Sequence, residues 1–121
     1  MKSCRTVEIL AVFNNGGAGI LTVTGAVDEV ADFQGKKIRS TGPYATELLT
    51  ALGAVPILKP SVEAFELLST KVIDGGVADP STLIGMNMLD YVEHYTVIPG
   101  GFSGAALAVI INSDSWNRIS E

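Results

Sequence analysis

The sequence predicts an α/β fold: a mixed, mostly parallel β-sheet flanked by helices. Two observations carry that prediction. Between residues 36 and 88, strand-like and helix-like segments alternate three times, and such alternation requires crossover connections and hence parallel pairing. Residues 104–112 then form a continuous apolar run, which suits a strand covered on both faces.

Taken in order, residues 7–13 are apolar and β-branched, Asn14-Asn15-Gly16-Gly17 is a turn signal, and residues 20–24 are again β-rich. This predicts two strands joined by a tight connection. Residues 28–32 predict one helical turn and residues 36–39 a brief strand. Gly42-Pro43 opens a helix to about Leu52, with Pro43 in its first turn and Gly53 just past its end. Residues 55–58 predict a strand, and Ser61 with Glu63 reads as the cap and acidic first turn of a helix reaching about Thr70. Residues 72–77 have β propensity up to Asp79-Pro80, an N-cap followed by an N1 proline, which launches a helix toward Met88. Residues 95–98 precede the Pro99-Gly100-Gly101 break and the long apolar run. Ser113-Asp114-Ser115-Trp116 begins a last helix, with the Trp116 ring expected to bury itself as an anchor.

A chain of 121 residues with 47% apolar content has material for one packed core, so a single domain over 1–121 is expected. The net charge of −5 argues against nucleic-acid and anionic-membrane partners, which draw on clustered Lys and Arg. Cys4 is the only cysteine, so neither an intramolecular disulfide nor a thiolate zinc site is expected, and no motif implies a cofactor. Residues 1–5 run straight into a strand-like segment and do not read as a signal peptide. Gly16-Gly17 lacks the pattern of a phosphate loop and is expected to be a turn. His94, the only histidine, has no nucleophile placed beside it by any motif, and a structural or solvent-exposed role is expected.

Several segments, in register over nearly the whole chain, go beyond generic α/β patterning. Ala31-Asp32-Phe33-Gln34-Gly35-Lys36-Lys37-Ile38-Arg39, then Leu52-Gly53-Ala54-Val55-Pro56, then Ser61-Val62-Glu63-Ala64-Phe65 and Val72-Ile73-Asp74-Gly75-Gly76, follow one another in order, and Ile110-Ile111-Asn112-Ser113-Asp114-Ser115-Trp116 closes the series. Together they resemble the DctP-like solute-binding proteins of tripartite ATP-independent periplasmic (TRAP) transporters. The resemblance implies a lobe like that of a type II periplasmic binding protein, in a family whose members are periplasmic, well over twice as long, and built from two lobes closing over a cleft. This chain would then be a fragment, with residues 26–93 as a lobe core and residues 7–25 and 94–112 as strands crossing between lobes. Asp79 departs from the pattern, because relatives often place a neutral residue there, facing the ligand.

Five residues are candidates for ligand contact. Arg39 ends a strand just before a Gly-Pro-opened helix, which in an open α/β sheet is where the ligand crevice lies. A guanidinium there can grip a carboxylate through two parallel hydrogen bonds, while the competing reading is a surface arginine continuing the Lys36-Lys37 patch. The resemblance implies that Arg39 is the carboxylate anchor, with its guanidinium accessible at the mouth of the crevice. Asp79 and Ser61 each suit either a helix cap or a polar contact to ligand. Tyr44 and Phe102 suit either the core or a wall of the cleft.

The resulting expectation is a binding module, not an enzyme: the substrate-binding component of a TRAP transporter, or a fragment of it, holding a small organic anion and signalling to membrane partners. The alternatives are a small α/β enzyme such as a hydrolase, for which no nucleophile turn is present, and an interaction or assembly domain. With the cover of residues 104–112 missing from a fragment, a homo-oligomer is expected.

Overall fold

The computed structural model describes residues 6–119, so Cys4 and the chain start lie outside the described residues. Where one compact unit was expected, the chain forms two: one from Gly16–Gly104, the other from the two flanking segments, residues 6–15 and 105–119. Long-range pairing between the flanks explains the division, because β1 (Val7–Asn14) and β7 (Ala106–Asn112) pair with each other and, among the described residues, with no other strand.

The larger unit is a five-stranded sheet built from β2 (Gly19–Thr22), β3 (Lys37–Ser40), β4 (Val55–Leu58), β5 (Gly75–Ala78) and β6 (His94–Thr96), in the order β4-β3-β5-β2-β6. Strands β4, β3 and β5 run parallel, while β2 runs antiparallel to both β5 and β6. The expected mixed sheet flanked by helices is therefore present, but only two of its four strand pairings are parallel, so it is less parallel than expected. The strands expected at 7–13 and 20–24 do form, but they join different sheets and do not pair as a hairpin. Near their connection the Gly17 and Gly101 backbones approach so closely that a Cβ built on Gly17 would lie 2.6 Å from the Cα of Gly101.

Helices α1 (Pro43–Ala51), α2 (Ser61–Ser69) and α3 (Pro80–Gly85) start at the residues that the prolines and Ser61 mark. α3 is shorter than its pattern suggested and ends before Met88. Residues 30–33 make a 3-10 turn, with the Asp32 carboxylate accepting from the backbone N–H groups of Asp28 and Glu29. Alternation along the strands sends side chains to two faces, each with its own core. On one face Ile20, Ile38 and Val77 pack with Ala45 and Leu49 of α1 and with Phe33. On the other, Leu21 and Ala78 pack with Ala64 and Leu68 of α2, Leu83 of α3, and Met88.

The smaller unit is an antiparallel ribbon with Val7 opposite Asn112 and Asn14 opposite Ala106, and its register shifts between Ile9 and Ala11. Asn112 Oδ1 accepts from the backbone N–H groups of Asp114 and Ser115 and so starts α4 (Ser113–Ile119). Two expectations fail here. The run at 104–112 was expected to be covered on both faces, yet every residue of β7 is exposed except the partly buried Ile111. Trp116 was expected to bury its ring, yet it is 41% exposed, and α4 has no buried residue. Both errors have one cause: an apolar run says what its residues prefer, and the elements that would cover them are not supplied within the described residues.

Candidate functional site

The sheet order itself marks where a ligand would sit. From β3 the chain passes through α1 to β4 on one side, and from β4 it passes through α2 to β5 on the other side of β3. Loops leaving β3 and β5 therefore diverge, and in open α/β sheets the crevice opens at the carboxyl ends of such strands. A pocket there is lined by Arg39 of β3, Ser61 of α2 and Thr82 of α3, with Leu21, Leu68 and Met88 among its apolar walls.

Arg39 lies on the α2 face of the sheet, opposite Ile57 on β4 and Gly76 on β5. A Cβ built on Gly76 would lie 3.6 Å from Arg39 Cβ, so the glycine leaves the space beside the arginine stem open. Only 6% of the arginine is exposed, which corrects the expectation of an accessible guanidinium at the crevice mouth. The cause is visible in its partners: Nε donates to the Lys59 carbonyl at 2.8 Å, Nη1 to the Val77 carbonyl at 3.4 Å and Nη2 to the Ser61 hydroxyl at 3.0 Å. These bonds draw the head inward between β4, β5 and α2.

None of these partners is an anion. Among the described residues the one ion pair is Lys59 with Glu63, at 2.9 Å. A buried charge is ordinarily matched by an opposite one, because desolvating it alone is costly. Burial accordingly pulls the Arg39 guanidinium below its ordinary pKa range, yet it remains a cation at neutral pH. Of the five N–H donors on a guanidinium, three have acceptors here, leaving one N–H on each terminal nitrogen. Two N–H groups on adjacent terminal nitrogens match the spacing of the two oxygens of a carboxylate.

The other candidates divide. Ser61 was read as a cap, but Pro60 occupies the N-cap position, and Ser61, one residue inside α2, uses its hydroxyl to accept from Arg39. Asp79 is a true N-cap: its Oδ1 accepts from the backbone N–H of Thr82 at 3.0 Å, and its carboxylate accepts from the Ser81 and Thr82 hydroxyls. The Ser81 bond first, then those of Thr82, hold its pKa below the ordinary carboxylate value against an opposing desolvation effect. Tyr44, in the first turn of α1, is 69% exposed and does not line the pocket. Phe102 is not a cleft wall: it is 6% exposed and stacks on Phe33, with ring centroids 6.4 Å apart, because the positive φ values of Gly100 and Gly101 turn the chain back into the core. His94, as expected for a residue outside any site, is exposed at the start of β6.

Sequence reasoning missed Thr82 and Gly76, both of which line the pocket. Each carried a signal. Thr82 stands three residues after the Asp79 cap, where a hydroxyl reaches back to the capping carboxylate, and a glycine in a strand marks a close approach by something else.

An uncompensated guanidinium at the carboxyl edge of an α/β sheet suits the holding of an anion, and the proteins this chain is similar to are transport solute-binding proteins, not enzymes. The family model described as bacterial extracellular solute-binding protein, family 7, matches residues 2–121, and the chain belongs to that family. Its members are periplasmic solute-binding components of TRAP transporters, so the resemblance read from the sequence holds. The C4-dicarboxylate-binding periplasmic protein DctP of Rhodobacter capsulatus is 33% identical over 111 residues, which are 91% of this chain and 32% of that protein. A TRAP periplasmic solute-binding protein from Bordetella bronchiseptica, solved with bound (R)- and (S)-mandelate, is 38% identical with a TM-score of 0.79 over 93% of this chain and 36% of its own. Another from Pseudomonas putida F1, with bound D-glucuronate, is 29% identical with a TM-score of 0.77 over 97% of this chain and 38% of its own. The chain thus spans about a third of the length of the relatives it matches.

Proposed function

We propose that this chain acts in the substrate-binding component of a TRAP transporter, supplying most of one lobe, and binds a small organic acid through Arg39. One observation carries the reading: the Arg39 guanidinium is buried at the sheet's carboxyl edge and, among the described residues, has no anionic partner and two N–H groups without acceptors. A carboxylate supplies both the missing countercharge and the missing acceptors. Mandelate and D-glucuronate, bound in the two relatives, are both carboxylates, which supports the same class of ligand here. Ser61 sets the guanidinium plane, Asp79 borders the site through Thr82, and Tyr44 stands exposed at the start of α1, where only a further element could bring it to the acid. Signalling of occupancy to the membrane components of the transporter completes the function.

The two-lobe arrangement is supported by the way residues 7–25 and 94–112 each contribute one strand to each unit, as segments crossing between lobes would. A single lobe offers only part of the contacts that bury a small ligand, so millimolar affinity or none is expected of this chain by itself. We also propose that the isolated chain associates with a second copy through its ribbon, whose Ile9, Val12, Val109 and Ile110 are all exposed.

The test is the urea midpoint of the chain with increasing mandelate at fixed ionic strength. Binding to the folded state at ten times the dissociation constant raises stability by about 1.4 kcal/mol. That rise is expected for the chain as it stands and is lost in Arg39→Gln. An equal rise in both proteins would remove Arg39 from the site.

A further inference from the structure

We infer that Asp79 makes this site selective for acids with a single carboxylate and rejects dicarboxylates, an inference that rests on Arg39 being the carboxylate anchor. The pocket lining holds one cation, Arg39, and no second one that could receive another carboxylate. Lys59, the nearest basic residue in sequence to Ser61, directs its ammonium to Glu63 at 2.9 Å. Apart from Arg39 and the hydroxyls of Ser61 and Thr82, the walls are apolar, as with Leu21, Leu68 and Met88, which suits an uncharged ligand body.

Asp79 adds a negative charge at the same edge. The Val77 carbonyl that accepts from Arg39 Nη1 lies two residues before Asp79, roughly 7 Å along an extended backbone. Thr82, which lines the pocket, donates its hydroxyl to Asp79 Oδ2 at 2.9 Å, so the carboxylate stands one hydroxyl away from the pocket. The cap bonds from Ser81 and Thr82 keep it ionised at neutral pH. A dicarboxylate anchored by one carboxylate at Arg39 thus carries its second carboxylate in a site bordered by a fixed like charge and lined by no second cation among the described residues. A like charge within about 8 Å of the second carboxylate, in partly screened surroundings, weakens binding by about fivefold. The relative from Rhodobacter capsulatus is named for C4-dicarboxylates, so this chain is inferred to differ from it in the charge its ligand carries.

Butyrate and succinate have the same carbon skeleton length and differ by one carboxylate. Each is titrated into the 15N-labelled chain at neutral pH and constant ionic strength, following the side-chain Nε–H signal of Arg39, a readout that reaches millimolar binding. Butyrate is expected to bind about fivefold more tightly than succinate, and the ratio is expected to move toward succinate by a similar factor in Asp79→Asn. Asparagine keeps the capping oxygen, and Asp79→Ser, a second neutral cap, guards against a folding defect in the first variant. If both acids move the Arg39 signal with equal affinity, or if neither variant changes the ratio, the selectivity is overturned while the anchor stands. If neither acid moves the Arg39 signal, the anchor fails and the inference falls with it.

Discussion

A buried arginine that bonds only to carbonyls and a hydroxyl is an unusual residue, because hydrogen bonds alone do not replace the countercharge that burial removes. Geometry at Arg39 also bears on what can replace it. A lysine has a single ammonium, and it cannot bridge the Lys59 carbonyl, the Val77 carbonyl and Ser61 while presenting two parallel donors. Arg39→Lys is therefore expected to weaken acid binding by at least tenfold despite keeping the charge, as measured by the same titration of the urea midpoint. Asp79 makes a separate contribution to stability. Its folded pKa lies below the ordinary 3.8, so its cap is fully present above that pH and is lost as pH falls through the depressed value. Asp79→Ala is expected to cost about 1 kcal/mol at neutral pH, and the gap to the parent chain should narrow below pH 3.8 in urea melts.

At the scale of single elements, β5 presents a sharp contrast between two adjacent glycines. A Cβ at Gly75 would lie 2.3 Å from the Leu21 carbonyl oxygen, inside the β2–β5 pairing, whereas a Cβ at Gly76 meets Arg39 Cβ at an ordinary 3.6 Å. Gly75→Ala is expected to destabilise by about 1–3 kcal/mol and Gly76→Ala by far less, measured by chemical denaturation. Equal effects would mean that the strand shifts to absorb the methyl. The same elements set the limits of what sequence reveals. Pro43 and Pro80 fix helix starts through local chemistry, a constraint that needs no knowledge of neighbours, and both helices begin there. Ser61 looked like a cap because caps are also local, but Pro60 took that position and a long-range partner, Arg39, claimed the hydroxyl. The pairing of β1 with β7 joins residues about a hundred positions apart, which no local pattern encodes. Arg39 was legible by position at a strand end; its burial was not, since that depends on where α2 and β5 come to rest.

For the molecule as a whole, the exposed ribbon and the acidic balance pull in opposite directions. A net charge of −5 favours keeping copies apart, while Ile9, Val12, Val109 and Ile110 present apolar surface along paired strands. The apolar surface is expected to win at moderate salt, giving a dimer by light scattering coupled to size exclusion that dissociates in Val109→Lys. A well-folded monomer at micromolar concentration would refute that association. Completion of the Arg39 guanidinium by an acid's carboxylate is read in the side-chain 15N spectrum of that arginine during a mandelate titration. The Arg39 signal is expected to shift progressively and to saturate with a millimolar dissociation constant, with backbone signals of Ser61 and Thr82 moving in parallel. A titration in which other residues respond to mandelate while the Arg39 signal stays fixed would contradict it.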